Sequence, residues 1–220
     1  MPVRKIPKNY LGVTGGYSSC KNDDMSSFES LLEKEYMLLL DFDDTVEKFE
    51  EQPVTIPVPG IPKGYTPDVL VHFWPDPMSG EVRKPRLVEI KSTDDLERNK
   101  AKYALKFAEA EKYVAERGWE FHIANEKEIR TPRLANLKFL REYRNIEPAE
   151  ADLYKIEQLV GVAGGRASSQ TLLAQLAPTD DDRLYWLPIL WHAVLTKRLV
   201  CDLDTPFSDD VMLHLPSGLT

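Results

Sequence analysis

The chain has 220 residues, of which 42% are hydrophobic and 29% are charged. These values exclude a disordered or fibrous chain, and the length allows one large core or a catalytic domain of about 150 residues with a smaller second domain. The formal net charge of −8 excludes a protein that coats nucleic acid through bulk positive charge.

Membrane insertion and secretion are not predicted. The longest apolar run, from Trp186 to Leu195, is shorter than the roughly 18 residues that a membrane span needs. Residues 1–12 are basic but lack an apolar segment behind them, so we expect no secretory signal and a cytoplasmic protein. Cys20 and Cys201 lie far apart and near no His-Cys cluster, which predicts two unreactive thiols and no zinc site.

The first two thirds of the chain predict an alternation of helices and strands. Helical spacing of apolar residues, with Ser26 or Ser27 as N-cap, is followed by extended chain that ends at Pro59-Gly60. The predicted segments are a helix over residues 26–42, extended chain over 46–56, a hairpin over 67–92, a helix over 94–117 and a strand over 119–124. This order predicts an α/β fold with a mixed sheet.

A further helix, "TPRLANLKFLREYRN", carries a basic stripe formed by Lys138, Arg141 and Arg144. Pro148 then marks a boundary, so we predict one domain over residues 1–148 and another over 149–220. The second domain reads as a helix, a glycine-rich break, a helix, a longer helix and a terminal hairpin. That is the order of a winged helix.

Charged residues in the predicted hairpin form the candidate site. With residues 75–84 as the loop, Asp68 lies opposite Lys91 and Leu70 lies opposite Glu89, which puts Asp68, Glu89 and Lys91 on one face of the sheet. A slip of one residue would separate them, and the sequence alone does not fix this register.

This arrangement has the chemistry of the PD-(D/E)xK nuclease pattern. Two carboxylates on one face suit Mg²⁺, and a nearby lysine can orient or deprotonate water or stabilise charge on a phosphate. The competing interpretation is a charged hairpin without a metal, because the motif is short and common. The apolar strand "RLVEIKS" favours the nuclease, since charges in such a strand are costly unless they are paired or bind a metal.

A third carboxylate would complete a typical site, and the preceding helix offers Glu29, Glu33 and Glu35. Glu29 and Glu33 share a helix face, whereas Glu35 points elsewhere. Each of them could equally be part of a solvated helix face.

Four motifs occur in a specific order in this chain: Ser-x-x-Glu in "SLLEKEYMLLLDF", Gln-Pro, Pro-Asp in "YTPDVLVHF" and Glu-x-Lys in "LVEIKS". From about Ser26 to Arg144 the sequence resembles TnsA, the endonuclease subunit of heteromeric cut-and-paste transposases. The resemblance implies a restriction-endonuclease-like mixed sheet flanked by helices, followed by a C-terminal winged-helix domain. It also implies a catalytic site of Glu33, Asp68, Glu89 and Lys91, with Glu29 as the alternative to Glu33.

The resemblance further implies a cofactor and partners. Glu33, Asp68 and Glu89 would bind Mg²⁺, as two ions for which Mn²⁺ can substitute. The enzyme would cut the 5′ ends of a transposon, while a TnsB-like transposase acts on the 3′ ends and a TnsC-like AAA+ ATPase regulates the reaction.

Two groups of basic residues are candidates for contact with DNA: Lys100, Lys102 and Lys106, and the stripe of Lys138, Arg141 and Arg144. Both could instead be solvated helix faces. Residues 151–220 contain nine acidic and five basic residues, a formal charge of −4, which favours docking of protein over DNA. His72, His122, His192 and His214 show no ligand spacing and are expected to be structural.

Two other functions remain open. The chain could be a stand-alone nuclease of the restriction or junction-resolving type, with the same catalytic residues and no transposase. It could also be a non-catalytic transposition adaptor that binds through the winged helix, although intact Asp68, Glu89 and Lys91 count against this.

Overall fold

The computed structural model of the chain describes residues 15–22 and 25–216, and these divide into two compact units at Arg130/Thr131. Residues 1–12, for which we expect no secretory signal, lie outside the described residues. In the described ranges, no helix is both long and apolar enough to cross a membrane.

The first unit contains eight strands and four helices among its described residues. The strands are β1 (Gly15–Tyr17), β2 (Ser26–Phe28), β3 (Val46–Glu51), β4 (Ile56–Val58), β5 (Ile61–Tyr65), β6 (Val69–Phe73), β7 (Arg86–Ile90) and β8 (Glu120–Ala124). The helices are α1 (Leu31–Phe42), α2 (Thr93–Arg98), α3 (Lys100–Ala115) and α4 (Glu126–Ile129).

A four-stranded mixed sheet in the order β3-β6-β7-β8 forms the centre of this unit. The β3-β6 and β6-β7 pairs are antiparallel, whereas β7 and β8 run parallel. The central strands are buried on both faces, since Val69, Leu87 and Val88 are fully enclosed. The predicted α/β class and mixed sheet are therefore confirmed.

One face of the sheet packs on α3. Leu70 of β6 and Leu87 of β7 form a hydrophobic cluster with Ala110 and Val114 of the helix, and the β4-β5 hairpin closes the same cluster through Tyr65. The turn of this hairpin has a positive φ at Gly60, as expected for Pro59-Gly60. The hairpin therefore lies beside the end of β6 that carries Asp68.

The register of the β6-β7 hairpin differs from the predicted one. Val69 pairs with Val88 and Leu70 with Leu87, so the partner of each β6 residue is shifted by two positions. The reason is that the last pair is Val71 with Arg86, so the predicted pairing loses three residues from the first strand but only one from the second. Side chains alternate with a period of two, and a shift by two therefore leaves Asp68, Glu89 and Lys91 on the same face.

The start of α1 is also a correction. Ser26 and Ser27 belong to β2, and the N-cap is Ser30, whose hydroxyl accepts the N–H of Glu33. The predicted helix over residues 94–117 is divided at Asn99 into α2 and α3. Glu29 consequently precedes α1 instead of sharing a helix face with Glu33.

The second unit begins earlier than the predicted boundary at residue 148. Its elements are α5 (Pro132–Arg141), α6 (Glu150–Val162), β9 (Arg166–Ser168), α7 (Ser169–Leu176), α8 (Asp180–Leu195) and β10 (Met212–His214). Helix α5 belongs here because it packs on α8, with Phe139 against Trp191 at a centroid distance of 5.1 Å. The side-chain amide of Asn136 donates to the carbonyls of Leu203 and Thr205.

The terminal hairpin is only partly formed. Strand β10 pairs antiparallel with β9, while the predicted partner segment contributes one isolated bridge, Val200 to His214. The two-stranded sheet therefore joins the region between α6 and α7 to the end of the described chain.

Candidate active site

Asp68 is held by three backbone hydrogen bonds at the start of β6. Its N–H donates to the carbonyl of Val88 at 3.1 Å, and its carbonyl accepts the N–H of Gln52 at 2.8 Å. Its carboxylate Oδ2 accepts the N–H of Ile90 at 2.7 Å. The carboxylate is thus fixed by the strand that carries Glu89 and Lys91.

Glu89 lies inside β7 and is only 3% exposed. The hydroxyl of Tyr65 donates to its Oε2 at 2.8 Å. A buried carboxylate needs such donors, because leaving it unpaired is costly.

Lys91 joins the two carboxylates. Its Nζ lies 3.1 Å from Asp68 Oδ2 and 3.0 Å from Glu89 Oε1, and it also donates to the carbonyl of Ile90 at 3.0 Å. All three ammonium protons therefore have an oxygen acceptor. The structure brings together three of the four predicted catalytic residues.

Burial sets the protonation of this cluster. It raises the pKa of Glu89 to about 7, and the nearby charge of Asp68 adds to the effect. Burial also raises the pKa of Asp68. For Lys91, burial lowers the pKa, but the charges of Asp68 and Glu89 outweigh it and leave the pKa raised. Lys91 therefore stays protonated at neutral pH. Its positive charge does not fully offset the effect of burial on the pKa of the two carboxyl groups.

Glu33, the fourth predicted residue, lies in the first turn of α1 and is 8% exposed. Its Oε1 accepts from the hydroxyl of Ser30 and its Oε2 from the N–H of Glu29. The N–H of Glu33 in turn donates to the Ser30 hydroxyl, so the two side chains together cap the start of α1. Burial raises the pKa of Glu33 to about 7, with the charge of Asp68 as the next cause, which places Glu33 within electrostatic reach of the cluster.

A pocket of about 410 Å³ opens over Asp68, Glu89 and Lys91. Glu29 and Gln52 also line it, and the amide Nε2 of Gln52 donates to Glu29 Oε1 at 3.2 Å. Glu29 thus faces the pocket that contains the predicted site, whereas Glu33 is not one of its lining residues. Glu35, the remaining candidate, forms an ion pair with Arg130 instead.

Lysines form part of the same pocket. Lys102 and Lys106 of α3 line it, as does Lys63 of β5, while Lys100 is not among the lining residues. Lys138, Arg141 and Arg144 belong to the second unit, where Arg144 follows the end of α5 and so leaves the predicted helical stripe.

Six residues that line this pocket were not predicted from the sequence, among them Gln52, Tyr65 and Lys63. Gln52 was considered only as part of the Gln-Pro motif. Tyr65 lies two positions before the Pro-Asp pair, and no motif indicated a role for it in the site. The turn at Pro59-Gly60 could have indicated a hairpin that returns Lys63 and Tyr65 to the site.

The oxygen donors of Asp68 and Glu89 are of the type that Mg²⁺ prefers, and burial raises the pKa of both by disfavouring the charged carboxylates, which a bound cation would favour. Within residues 15–22 and 25–216, no three His, Cys, Asp or Glu side chains are arranged so that they could hold a metal ion. The residues present therefore fit a cation held by two carboxylates, with water as the remaining ligands.

The mixed sheet with flanking helices and this polar pocket fit a nuclease fold. Two family models match the chain: TnsA-like endonuclease N terminal over residues 43–126 and TnsA endonuclease C terminal over residues 128–203. The chain belongs to the TnsA-like endonuclease family. Asp68, Glu89 and Lys91 lie inside the first match, and Glu33 lies before it. A search of curated proteins finds no match.

Proposed function

We propose that this protein is a Mg²⁺-dependent DNA endonuclease that cuts the 5′ ends of a transposon during cut-and-paste transposition. Membership of the TnsA-like family supports a transposition-related endonuclease. The observation that carries the chemistry is the contact of one ammonium, Lys91 Nζ, with the carboxylates of both Asp68 and Glu89.

In this proposal Asp68 and Glu89 hold two Mg²⁺ ions, and Mn²⁺ can substitute for Mg²⁺. Glu33 completes the site, and Glu29 is the alternative because it lines the pocket. Bound Mg²⁺ supplies Lewis-acid chemistry, since it polarises the phosphate and favours ionisation of water.

Lys91 acts as a charged donor in the proposed reaction. Its raised pKa keeps it protonated, so once a cation takes over its contacts to the two carboxylates, it donates to the attacking water and to the phosphate instead of accepting a proton. Tyr65 fixes Glu89, and the backbone of Ile90 fixes Asp68, so both carboxylates are oriented before DNA arrives. Hydrolysis then adds one water across one phosphorus–oxygen bond.

Lys63, Lys102 and Lys106 are the proposed contacts to the phosphates of the strand that is cut. They come from two different elements and line the pocket that contains the carboxylates. Phosphate contacts position a duplex without reading its sequence, so sequence recognition would come from the partner transposase.

The second unit is proposed to be a winged-helix domain that docks protein. The order of α6, β9, α7, α8 and β10, with the bridge from Val200 to His214, supports this fold. The acidic balance of residues 151–220 supports a TnsC-like ATPase as partner over DNA. The expectation of a cytoplasmic protein remains a prediction.

A stand-alone nuclease is the second candidate, because the same pocket could act without a transposase. The test is cleavage of labelled transposon ends by the purified chain, with and without a TnsB-like partner, in Mg²⁺, Mn²⁺ or Ca²⁺. We expect cutting at 5′ ends only with the partner and with Mg²⁺ or Mn²⁺, because Ca²⁺ prefers looser coordination. Robust site-specific cutting by the chain alone would favour the second candidate.

A further inference from the structure

Gln52 has a backbone conformation that glutamine rarely adopts. Its φ is +43°, in the left-handed region, and among the described non-glycine residues only Lys197 shares a positive φ. Such strain costs free energy and persists where the surrounding structure holds it, often at functional sites.

The strained backbone has a specific contact. Gln52 directly follows β3, and its N–H donates to the carbonyl of Asp68 at 2.8 Å. The left-handed turn therefore ends the β3-β6 ladder with a bond to the residue that carries the proposed metal ligand.

The side chain of Gln52 is buried, with 6% of the residue exposed, yet only one of its two polar groups has a hydrogen-bond partner. Its Nε2 donates to the carboxylate of Glu29, which orients the amide and determines where Oε1 points. Oε1 has no hydrogen-bond partner among the residues that the structure describes. A buried polar atom without a partner is rare enough in native proteins to need an explanation.

We propose that Gln52 is a positioning residue of the cation site, an inference that rests on the proposed function. Its backbone N–H fixes Asp68, its Nε2 holds Glu29 at the pocket, and its enclosed Oε1 accepts a hydrogen bond from a water of the hydrated cation once the side chains around it move to admit that water. One residue thus connects two carboxylates of the pocket to the cation, which accounts for both the strain and the unpaired oxygen.

Residues that orient metal ligands typically change affinity or activity by 10- to 100-fold when they are replaced. Gln52→Gly removes the side chain but suits the left-handed backbone. Gln52→Asn also tolerates this backbone, and its amide is one methylene shorter. Both variants therefore preserve the turn, while the first removes the side-chain contact to Glu29 and the second weakens it.

The test is Mn²⁺ binding to the full chain without DNA, measured by calorimetry, together with thermal unfolding of each variant. Lys197→Gly is the matched control, since it removes the other left-handed non-glycine side chain of the described chain. We expect Mn²⁺ affinity to fall by at least about tenfold in Gln52→Gly, by less in Gln52→Asn and not at all in Lys197→Gly.

Wild-type affinity in a folded Gln52→Gly would overturn the positioning role alone. A cooperative unfolding transition in the variant shows that it is folded. If Gln52→Gly does not fold, Gln52→Asn decides, and wild-type affinity in that variant likewise overturns the proposal. Failure of the wild type to bind Mn²⁺ would overturn both this inference and the proposed cation site, so the two failures can be distinguished.

Discussion

The N–H of Ile90 donates to Asp68 Oδ2 at 2.7 Å, so the backbone of β7 holds the carboxylate of the residue immediately before β6. Ile90 is the middle residue of Glu-x-Lys, and its carbonyl accepts from Lys91. The two short motifs are therefore joined through backbone atoms as well as side chains. Any change in the pairing of β6 and β7 would move the whole site.

Tyr65→Phe should weaken catalysis without unfolding the protein. The change removes the hydroxyl that donates to Glu89 Oε2 and leaves a buried carboxylate oxygen without that donor. We expect a 10- to 100-fold rise in the Mg²⁺ concentration for half-maximal cleavage in the reconstituted reaction. Tyr185→Phe, which removes a hydroxyl bonded to Asp152, is the control and should be near normal. Equal effects of the two changes would argue against a specific role of Tyr65.

The third carboxylate can be identified by comparing Glu33→Ala with Glu29→Ala. We expect Glu33→Ala to abolish 5′ cleavage, as a ligand should, and Glu29→Ala to raise the Mg²⁺ requirement while maximal cleavage is retained. Cleavage titrated with Mg²⁺ separates these effects. The opposite pattern would assign the ligand to Glu29, which already lines the pocket.

Stability should depend on pH through Glu33. Its pKa is raised to about 7 by burial, so the folded state binds a proton more tightly than the unfolded state, where the pKa is near 4.5. The free energy of unfolding is then highest below pH 4.5, falls as pH rises to about 7 and stays lower above it. Without divalent cation, Glu33→Gln should reduce this fall by roughly 1 to 3 kcal/mol.

Denaturant unfolding at pH 5 and pH 8 measures the difference. Glutamine can still cap the helix, so the informative quantity is the change between the two pH values rather than the stability at either one. Glu47→Gln, at an exposed position of β3, is the control. An equal pH dependence in wild type and Glu33→Gln would show that Glu33 does not bind this proton.

The lysines that line the pocket should contribute more to DNA binding than a lysine of α3 that does not line it. Lys63→Ala, Lys102→Ala and Lys106→Ala should each weaken binding to a short duplex at low salt and reduce the salt slope by about 0.9, because each removes one phosphate contact. Lys100→Ala is the matched control on α3, since this residue is not among those that line the pocket. An equal effect of Lys100→Ala would indicate a general charge effect.

The shared face of Asp68, Glu89 and Lys91 was predictable from the sequence because side chains alternate along a strand. The predicted register was wrong by two residues, yet Asp68 and Glu89 remain on one face. The distinction between Glu29 and Glu33 was not predictable, since several serines could cap α1 and the choice of Ser30 depends on β2. Gln52 was not predictable either, because its strained backbone arises from the tertiary bond to Asp68.

The domain boundary illustrates the same limit. Pro148 is a strong local signal, but α5 packs on α8, and that contact involves Trp191, far along the chain. Local sequence cannot show whether a helix packs on the hydrophobic core of the unit before it or of the unit after it. The family matches, which change over between residues 126 and 128, agree with the structural division.

The most direct test of the central claim is sequencing of the insertion products of the wild-type and Asp68→Ala elements. Asp68→Ala removes a proposed ligand, so 5′ ends should stay uncut while the partner still joins 3′ ends, and simple insertions should be replaced by cointegrates. Asp76→Ala, in the exposed loop of the same hairpin, is the control and should give simple insertions. Unchanged simple insertions from Asp68→Ala would contradict the assignment of this pocket as the catalytic site.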